Sequence, residues 1–276
     1  MQPSLSHVRI SDRVIQISDG TGNACTLVTG QKKALLYDTM SGALDLKSYV
    51  ESLTDLDITV VISHGHFDHV CGAWQFGRAY MSALEEPTYA ECRRILPEIE
   101  TNTKVPLPEK LMKGEFDLQF VDIHEGDLFD LGGLTAEAVL LPGHTPGSMG
   151  LLLREERLLL VGDAVSPQMC LFLPESLPLD VYVQTLHKVK KLPVDAVMGS
   201  HFMKTFPMKA VDEFEKCSQI VGKVRAIRYS FTPVPEYLGT LWFYNLHEPL
   251  TGETMCIITP YREEDYPKKK RLSGKK

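Results

Sequence analysis

Short apolar runs separated by polar turns organise the first third of the chain. They predict strands over residues 8–17, 24–30 and 33–38, with glycine- and asparagine-containing turns between them. Apolar residues at helical spacing in Leu44–Leu53 predict a helix, and the β-branched run Ile58–Ile62 predicts a buried strand after it. This part of the chain is therefore a first batch of strands with a helix beside them.

A second batch of strands comes in the middle of the chain. Leu134–Leu141 predicts a strand, and Met149–Leu153 with Leu158–Val161 predicts a hairpin. An amphipathic helix over Asp180–Leu192 and a strand over Ala196–Met198 are expected to follow. Two batches of strands, each followed by helices, predict an α/β (α+β) fold in which two sheets pack together with helices outside.

The segment between the two batches differs in composition from its neighbours. Residues 81–117 are richer in Glu, Pro and Lys, and Glu85–Leu96 has helical periodicity, so we expect an insertion between core elements. A chain of 276 residues is long enough for one elaborated domain with a large core. We assign residues 1–205 to that domain, insertion included.

The remaining residues, 206–276, predict an extension that packs on the same domain. A long helix is expected from Pro207 to about Arg228, and a hairpin within Leu238–Pro260. We expect this extension either to cover the functional cleft or to pair with a second subunit, giving a homodimer. The last nine residues, Lys268–Lys276, hold six basic side chains and predict a solvated tail, with nucleic-acid or membrane contact as the alternative.

Composition narrows the class of protein. With 43% hydrophobic and 24% charged residues the chain has the composition of an ordinary globular protein, and its net charge of −7 gives no reason to expect a nucleic-acid partner. We find no secretory signal and no apolar stretch near the ~18 residues that a membrane span requires. The six cysteines include no Cys-x-x-Cys pair, so we expect free thiols and a cytoplasmic location.

Histidines and aspartates follow the predicted strands at four places. They stand in the run Ser-His-Gly-His-Phe-Asp-His and in the segments Gly-His-Thr-Pro-Gly, Val-Gly-Asp-Ala and Gly-Ser-His. Imidazole nitrogens and carboxylate oxygens are the ligands that a divalent transition metal needs. The candidate metal ligands are His64, His66, Asp68, His69, His144, Asp163 and His201.

The spacing within the first run predicts two pairs of ligands. His64 and His66 are two residues apart in an extended segment, so their rings can point to the same side. Gly65 between them has no Cβ and permits a tight turn. Asp68 and His69 follow after the chain has bent and face a second point in space. One segment therefore provides ligands for two neighbouring ions.

The later residues complete the two sites. Asp163 is the natural bridge, because its carboxylate has two oxygens that can each bind a metal, and His144 and His201 would complete one site each. Zinc is the default for these ligands, although iron and manganese suit the same set. Two divalent ions roughly 3.5–4 Å apart can share a hydroxide near neutral pH. Asp68 is the candidate catalytic residue that orients the hydroxide or moves a proton.

These motifs resemble the metallo-β-lactamase superfamily over about residues 8–205, in particular its glyoxalase II-like members. The resemblance implies a four-layer αββα sandwich with two metals. It implies the first metal on His64, His66 and His144, the second on Asp68, His69 and His201, and Asp163 as the bridge. Asp38, at the end of a predicted strand, matches an acidic position often found behind the second metal.

The resemblance also implies a function. We expect a dinuclear metal-dependent hydrolase that uses a bridging hydroxide on a small-molecule thioester, ester or lactone. The bridging Asp163 disfavours a true β-lactamase, because the members that hydrolyse β-lactams generally lack it. The alternatives are a phosphodiesterase or nuclease of the same fold, a mononuclear iron enzyme similar to persulfide dioxygenases, and a non-catalytic binding protein.

Substrate contacts are expected from loops near the strand ends. The candidate segments are residues 81–117, residues 165–180 and the C-terminal extension. The apolar and aromatic candidates for these contacts are Met169, Phe172, Tyr182, Trp242 and Tyr244. Ordinary packing is the alternative for each of them.

Overall fold

A computed structural model describes residues 4–265, so the basic tail Lys268–Lys276 lies outside the described residues. Most of the predicted helices are present with shifted ends. In the described range the helices are α1 (Leu46–Glu51), α2 (Phe67–Val70), α3 (Glu86–Thr103), α4 (Glu109–Lys113), α5 (Leu179–Val189) and α6 (Met208–Ser218). Short 3-10 turns lie at Cys71–Gln75, Ala83–Glu85 and Glu263–Asp265.

The first sheet has seven strands that follow one another in chain order. They are β1 (Ser6–Arg9), β2 (Val14–Ser18), β3 (Ala24–Thr29), β4 (Ala34–Tyr37), β5 (Ile58–Val61), β6 (Arg78–Tyr80) and β7 (Gln119–Val121). Strands β1 to β4 are antiparallel, whereas β4 to β7 are parallel. Residues 81–117 connect the parallel neighbours β6 and β7, so α3 and α4 belong to the crossover that such a pair requires.

The second sheet has the order β14-β13-β11-β10-β9-β8. Its strands are β8 (Leu128–Asp130), β9 (Thr135–Leu140), β10 (Met149–Leu153), β11 (Leu158–Gly162), β13 (Ala196–Gly199) and β14 (Phe206–Pro207). The predicted hairpin is confirmed, because β10 and β11 pair antiparallel. Strand β11 pairs in parallel with β13, so their carboxyl ends lie at one edge.

The two sheets face each other across an apolar core. In β4, Leu35 and Tyr37 point into this inner core, while Ala34 and Leu36 pack against the helices α1, α3 and α4 on the outer face. Helices α5 and α6 cover the outer face of the second sheet. The order of layers is helix, sheet, sheet, helix, and the predicted αββα sandwich is confirmed.

A third sheet of four strands was not predicted beyond its central hairpin. It has the order β12-β17-β16-β15 and consists of β12 (Gln168–Cys170), β15 (Ile227–Phe231), β16 (Val234–Asn245) and β17 (Met255–Pro260). The predicted helix as far as Arg228 is wrong in extent. Helix α6 ends at Ser218, Gly222 takes a positive φ of 74°, and the alternating run Ile-Arg-Tyr-Ser-Phe pairs with β16 instead.

Candidate metal centre

The candidate ligands lie on loops that follow strands of both sheets. His64 comes three residues after the end of β5, Asp163 directly follows β11, and His201 comes two residues after the end of β13. His144 lies on the connection between β9 and β10, and His66 caps the start of α2. Because these strand ends meet at one edge of the sandwich, residues far apart in sequence converge there.

Three histidines form the first cluster. The Nε2 of His64 and the Nε2 of His144 each lie 2.9 Å from the Nδ1 of His66. His64 and His144 are almost fully buried, with exposed fractions of 0% and 2%. This cluster is the predicted first site.

Asp68, His69 and His201 form the second cluster, and Asp163 lies between the two. The Asp68 carboxylate lies 3.9 Å from His69 Nε2 and 3.6 Å from His201 Nε2. The carboxylate of Asp163 lies 3.1 Å from His201, 3.5 Å from His69 and 3.7 Å from His144, measured to the Nε2 atoms. The structure therefore brings all seven predicted residues together.

The hydrogen bonds of the histidines leave one nitrogen of each ring directed at the centre. A ligand histidine usually donates its other N–H to an oxygen, which fixes the ring orientation. The acceptors here are Ser63 Oγ for His64 Nδ1, Glu175 for His66 Nε2, Asp38 for His69 Nδ1, the Cys170 carbonyl for His144 Nδ1 and the Gly22 carbonyl for His201 Nδ1. Each histidine thus presents one nitrogen inward.

Two buried polar atoms at the centre have no hydrogen-bond partner within residues 4–265, His69 Nε2 and Asp163 Oδ1. Leaving such atoms unpaired in a folded protein is costly. A divalent ion would satisfy both, and the ligand atoms of each half lie within 4.8 Å of one another. The residues therefore fit a metal centre on their own geometry.

Burial and neighbouring charges separate the pKa values of these groups. Burial and then the adjacent His69 hold the pKa of His64 well below its usual value, and burial with His66 lowers the pKa of His144 to about 4. Burial opposes the charged form of Asp163, but His201 and His69 keep its pKa well below the usual range. Burial opposes the charged form of His66 too, but the hydrogen bond and charge of Glu175 raise its pKa above the usual value. At neutral pH His64 and His144 therefore present neutral nitrogens, as metal ligands require.

Asp38 supports the second cluster from behind. Its buried carboxylate accepts hydrogen bonds from the Ser63 N–H (2.8 Å), the Ser63 hydroxyl (3.0 Å), the Ser200 hydroxyl (2.7 Å) and His69 Nδ1 (2.8 Å). Its φ of 65° is uncommon for a residue other than glycine. The loops after β4, β5 and β13 are therefore tied together by one side chain.

The family follows from this site together with the fold. The model of the metallo-beta-lactamase superfamily matches residues 18–201. The chain belongs to this superfamily.

Curated relatives within the superfamily include thioester hydrolases. The chain is similar to a hydroxyacylglutathione hydrolase of Haemophilus influenzae, with 30% identity over 147 residues, which are 51% of this chain and 66% of that protein. It is also similar to the acyl-coenzyme A thioesterase MBLAC2 of Homo sapiens, with 27% identity over 228 residues, 71% of this chain and 81% of that protein. The match to the first relative thus spans slightly less than two thirds of its length.

Solved structures agree on the fold. A metallo-beta-lactamase from Pontibacter korlensis superposes with a TM-score of 0.57 at 16% identity, covering 78% of this chain and 99% of that one. This likeness concerns the superfamily fold alone.

Two glutamates that bond to the candidate ligands or to their loops were not predicted from the sequence. Glu175 accepts a hydrogen bond from His66. Glu85 is fully buried and accepts from the backbone N–H of Gly65 (2.9 Å) and of Gly147 (2.7 Å), which joins the loops that carry His66 and His144. Glu85 begins the segment with helical periodicity and Glu175 lies in the candidate segment 165–180, but neither belongs to a ligand motif, so the sequence offered no signal for these contacts.

Gly65 has a different role from the one predicted. Its φ is not in the left-handed region, but a Cβ there would lie 2.7 Å from the backbone nitrogen of Tyr89 and 2.9 Å from the Glu85 carbonyl. The glycine is therefore needed for the close approach of this loop to α3.

The predicted substrate contacts divide into two groups. Phe172 lines the cavity in front of the metal centre. Met169, Tyr182 and Trp242 are buried in the core under α5 and α6, and Tyr244 packs at its edge with its hydroxyl 2.9 Å from Glu213. For these four residues the alternative of ordinary packing is therefore confirmed.

Proposed function

We propose that this chain is a dinuclear metal-dependent hydrolase that cleaves a small-molecule thioester to a carboxylate and a thiol with one water. The observation that supports this most is the pair of ligand clusters at a cavity, with the Asp163 carboxylate 3.7 Å from His144 of the first and 3.1 Å from His201 of the second. The names of the two curated relatives favour a thioester over an ester or a lactone.

We propose that zinc ions occupy the two clusters that the interatomic distances define above. When bound, such ions lower the pKa of water and polarise a carbonyl oxygen. Among the chain's own groups, Asp68 lines the cavity with 17% of its side chain exposed, so its carboxylate can accept a proton from water and pass it to the departing sulfur. The hydrogen bonds of the histidine rings keep this arrangement rigid.

The test is turnover by the full chain loaded separately with zinc, iron or manganese, on thioester, lactone, phosphodiester and persulfide substrates. We expect thioester hydrolysis, and a loss of roughly 10²–10⁴-fold in the Asp68→Asn variant if this carboxylate moves the proton. Turnover confined to phosphodiesters or to persulfide oxidation would contradict the proposal.

Other sequence predictions stay predictions. They are the homodimer, the cytoplasmic location and the nuclease alternative, whose main support, Lys268–Lys276, lies outside the described residues. Within residues 4–265, none of the helices has the length and apolar character needed to cross a membrane.

A further inference from the structure

A cavity of about 490 Å³ opens from the metal centre. One side of it, here called the metal-side wall, consists of His66, Asp68, His144, Asp163 and His201. The volume lies within the range of roughly 300–1,000 Å³ that small-molecule sites usually have. Whatever fills this cavity is therefore in contact with the proposed reaction centre.

A second group of lining residues, here called the apolar wall, comes from the third sheet and the residues after β12. It consists of Phe172, Tyr229, Phe231, Leu241, Phe243 and Ile258. Phe172 packs edge-on against Tyr229 and Phe231, with ring centroids 5.2 Å and 5.9 Å away. These contacts give the wall a continuous apolar surface.

The third sheet has two apolar faces, and only one of them packs against the core. Trp242 and Ile257 point to the core under α5 and α6. Their neighbours Leu241 and Ile258 point the other way, into the cavity, as strand alternation requires. Phe243 on the same face is still 36% exposed. An apolar face of this kind at a cavity is typical of a binding surface for an apolar ligand.

Charge argues for the same kind of ligand. Apart from histidines, the charged side chains that line the cavity within residues 4–265 are carboxylates, those of Asp68, Glu91, Asp163 and Glu175. The lining within residues 4–265 includes no Lys or Arg side chain, so away from the metal-side wall an anionic group would have no cationic partner. A neutral hydrocarbon chain suits both the apolar wall and the charge.

We propose that the apolar wall binds the acyl chain of the substrate, so that the substrate class is thioesters of hydrophobic carboxylic acids. The thioester carbonyl then lies at the metal-side wall, and the polar thiol portion points to solvent. This inference rests on the proposed thioester hydrolysis and narrows it, because it excludes short hydrophilic acyl groups as the preferred substrates.

The first test measures binding of the acyl chain separately from hydrolysis of the thioester. Binding of butanoate, hexanoate, octanoate and decanoate to the zinc-loaded full chain is measured by calorimetry, and coenzyme A thioesters of the same acids are assayed for kcat/KM. Burying one more CH₂ is expected to raise both affinity and kcat/KM about fourfold until the cavity is full. A flat dependence on chain length in both series would overturn the inference.

Failure of the acyl-binding role and failure of the proposed function give different experimental results. Hydrolysis of short and long thioesters at equal rates leaves the proposed function intact and removes the acyl-binding role. Affinity that rises with chain length without any thioester turnover supports an apolar-chain site and removes the proposed function.

Variants of Leu241 test whether the apolar wall causes the dependence of affinity on acyl-chain length. Leu241→Trp fills the cavity and is expected to lower decanoate affinity at least about tenfold. Leu241→Asn is expected to reduce the gain per CH₂. Leu246, 72% exposed just beyond β16, provides the matched controls Leu246→Trp and Leu246→Asn, which should behave like the wild type. Wild-type chain-length dependence in both Leu241 variants, with unchanged melting temperatures, would contradict the assignment.

Discussion

The two walls of the cavity are built by different physical means. On the metal-side wall each histidine is held by a specific hydrogen bond, such as His144 to the Cys170 carbonyl and His201 to the Gly22 carbonyl. On the apolar wall the side chains are held by strand alternation and ring packing, as Phe172 is against Tyr229. A hydrogen bond restricts both the distance and the direction of a side chain. Apolar packing tolerates the replacement of one side chain by another of similar volume.

This difference predicts which substitutions affect activity on every substrate and which affect only substrate preference. A change on the metal-side wall removes a ligand or leaves a buried polar partner unpaired, so it should affect every substrate. A change on the apolar wall alters shape and buried area, so it should affect which substrate is preferred. The following experiments test that division.

Asp163→Asn should have the largest effect. The amide has only one oxygen to offer, so the link between the clusters is lost, and kcat/KM should fall roughly 10³-fold for all substrates, since bound metal contributes several kcal/mol to the transition state. Steady-state kinetics with measured metal content check this. The exposed Asp55 allows the same change as a control, Asp55→Asn, without loss. More than a tenth of wild-type activity in Asp163→Asn would contradict the proposed division between the two walls.

Metal removal should lower stability. A ligand that binds only the folded state stabilises it by about 2.7 kcal/mol at a hundredfold excess over Kd. Chelation should therefore lower the melting temperature by about 5 °C or more, measured by calorimetry. Leu241→Asn should keep this metal-dependent shift, while Asp163→Asn should lose most of it. Equal shifts in the two variants would contradict the division between the walls.

Asp38→Asn should weaken metal binding about 10–100-fold, because a partner behind a ligand usually contributes that much. Asparagine tolerates the positive φ at this position, so the backbone can stay as it is. Competition with a chromophoric chelator measures the affinity. Asp45→Asn, at the exposed start of α1, should leave the affinity unchanged. An unchanged affinity in Asp38→Asn would mean that the hydrogen bond to His69 does not position the ligand.

Tyr237→Phe should have the smallest effect. Its hydroxyl lies 2.8 Å from Glu91 and joins β16 to α3 across the cavity, so its loss should cost about 1 kcal/mol in the free energy of unfolding. Tyr229→Phe is the matched control on the neighbouring strand.

The pH dependence of that loss has a defined sign. Arg94, and then Tyr237, lower the pKa of Glu91 from 4.5 to about 2. A carboxyl group whose pKa is depressed by folding stabilises the protein above its unfolded pKa, and this contribution is lost as the pH falls through the folded one. The difference between wild type and Tyr237→Phe should therefore persist down to about pH 4.5 and decline toward pH 2. A difference that grows as the pH falls would contradict the assignment.

Local patterns were enough to predict much of the fold. The β10–β11 hairpin follows from two apolar runs around a charged turn, and the αββα order of layers is confirmed. The predicted helix extended to Arg228 and so included the first two residues of β15, because Ile227–Phe231 is a mostly exposed segment without the apolar run of a buried strand. Its strand state depends on pairing with β16, which is a tertiary interaction.

The sequence by itself was enough to predict the candidate ligand set, because seven histidines and aspartates follow predicted strands within short motifs. It could not determine Glu85, Glu175 or the apolar wall. A lone glutamate carries no local signal, and neither do alternate residues of β15, β16 and β17, which are distant in sequence from the predicted ligands. Only the tertiary structure brings β12, β15, β16 and β17 together in front of the metal centre, and that packing decides what the proposed hydrolase can bind.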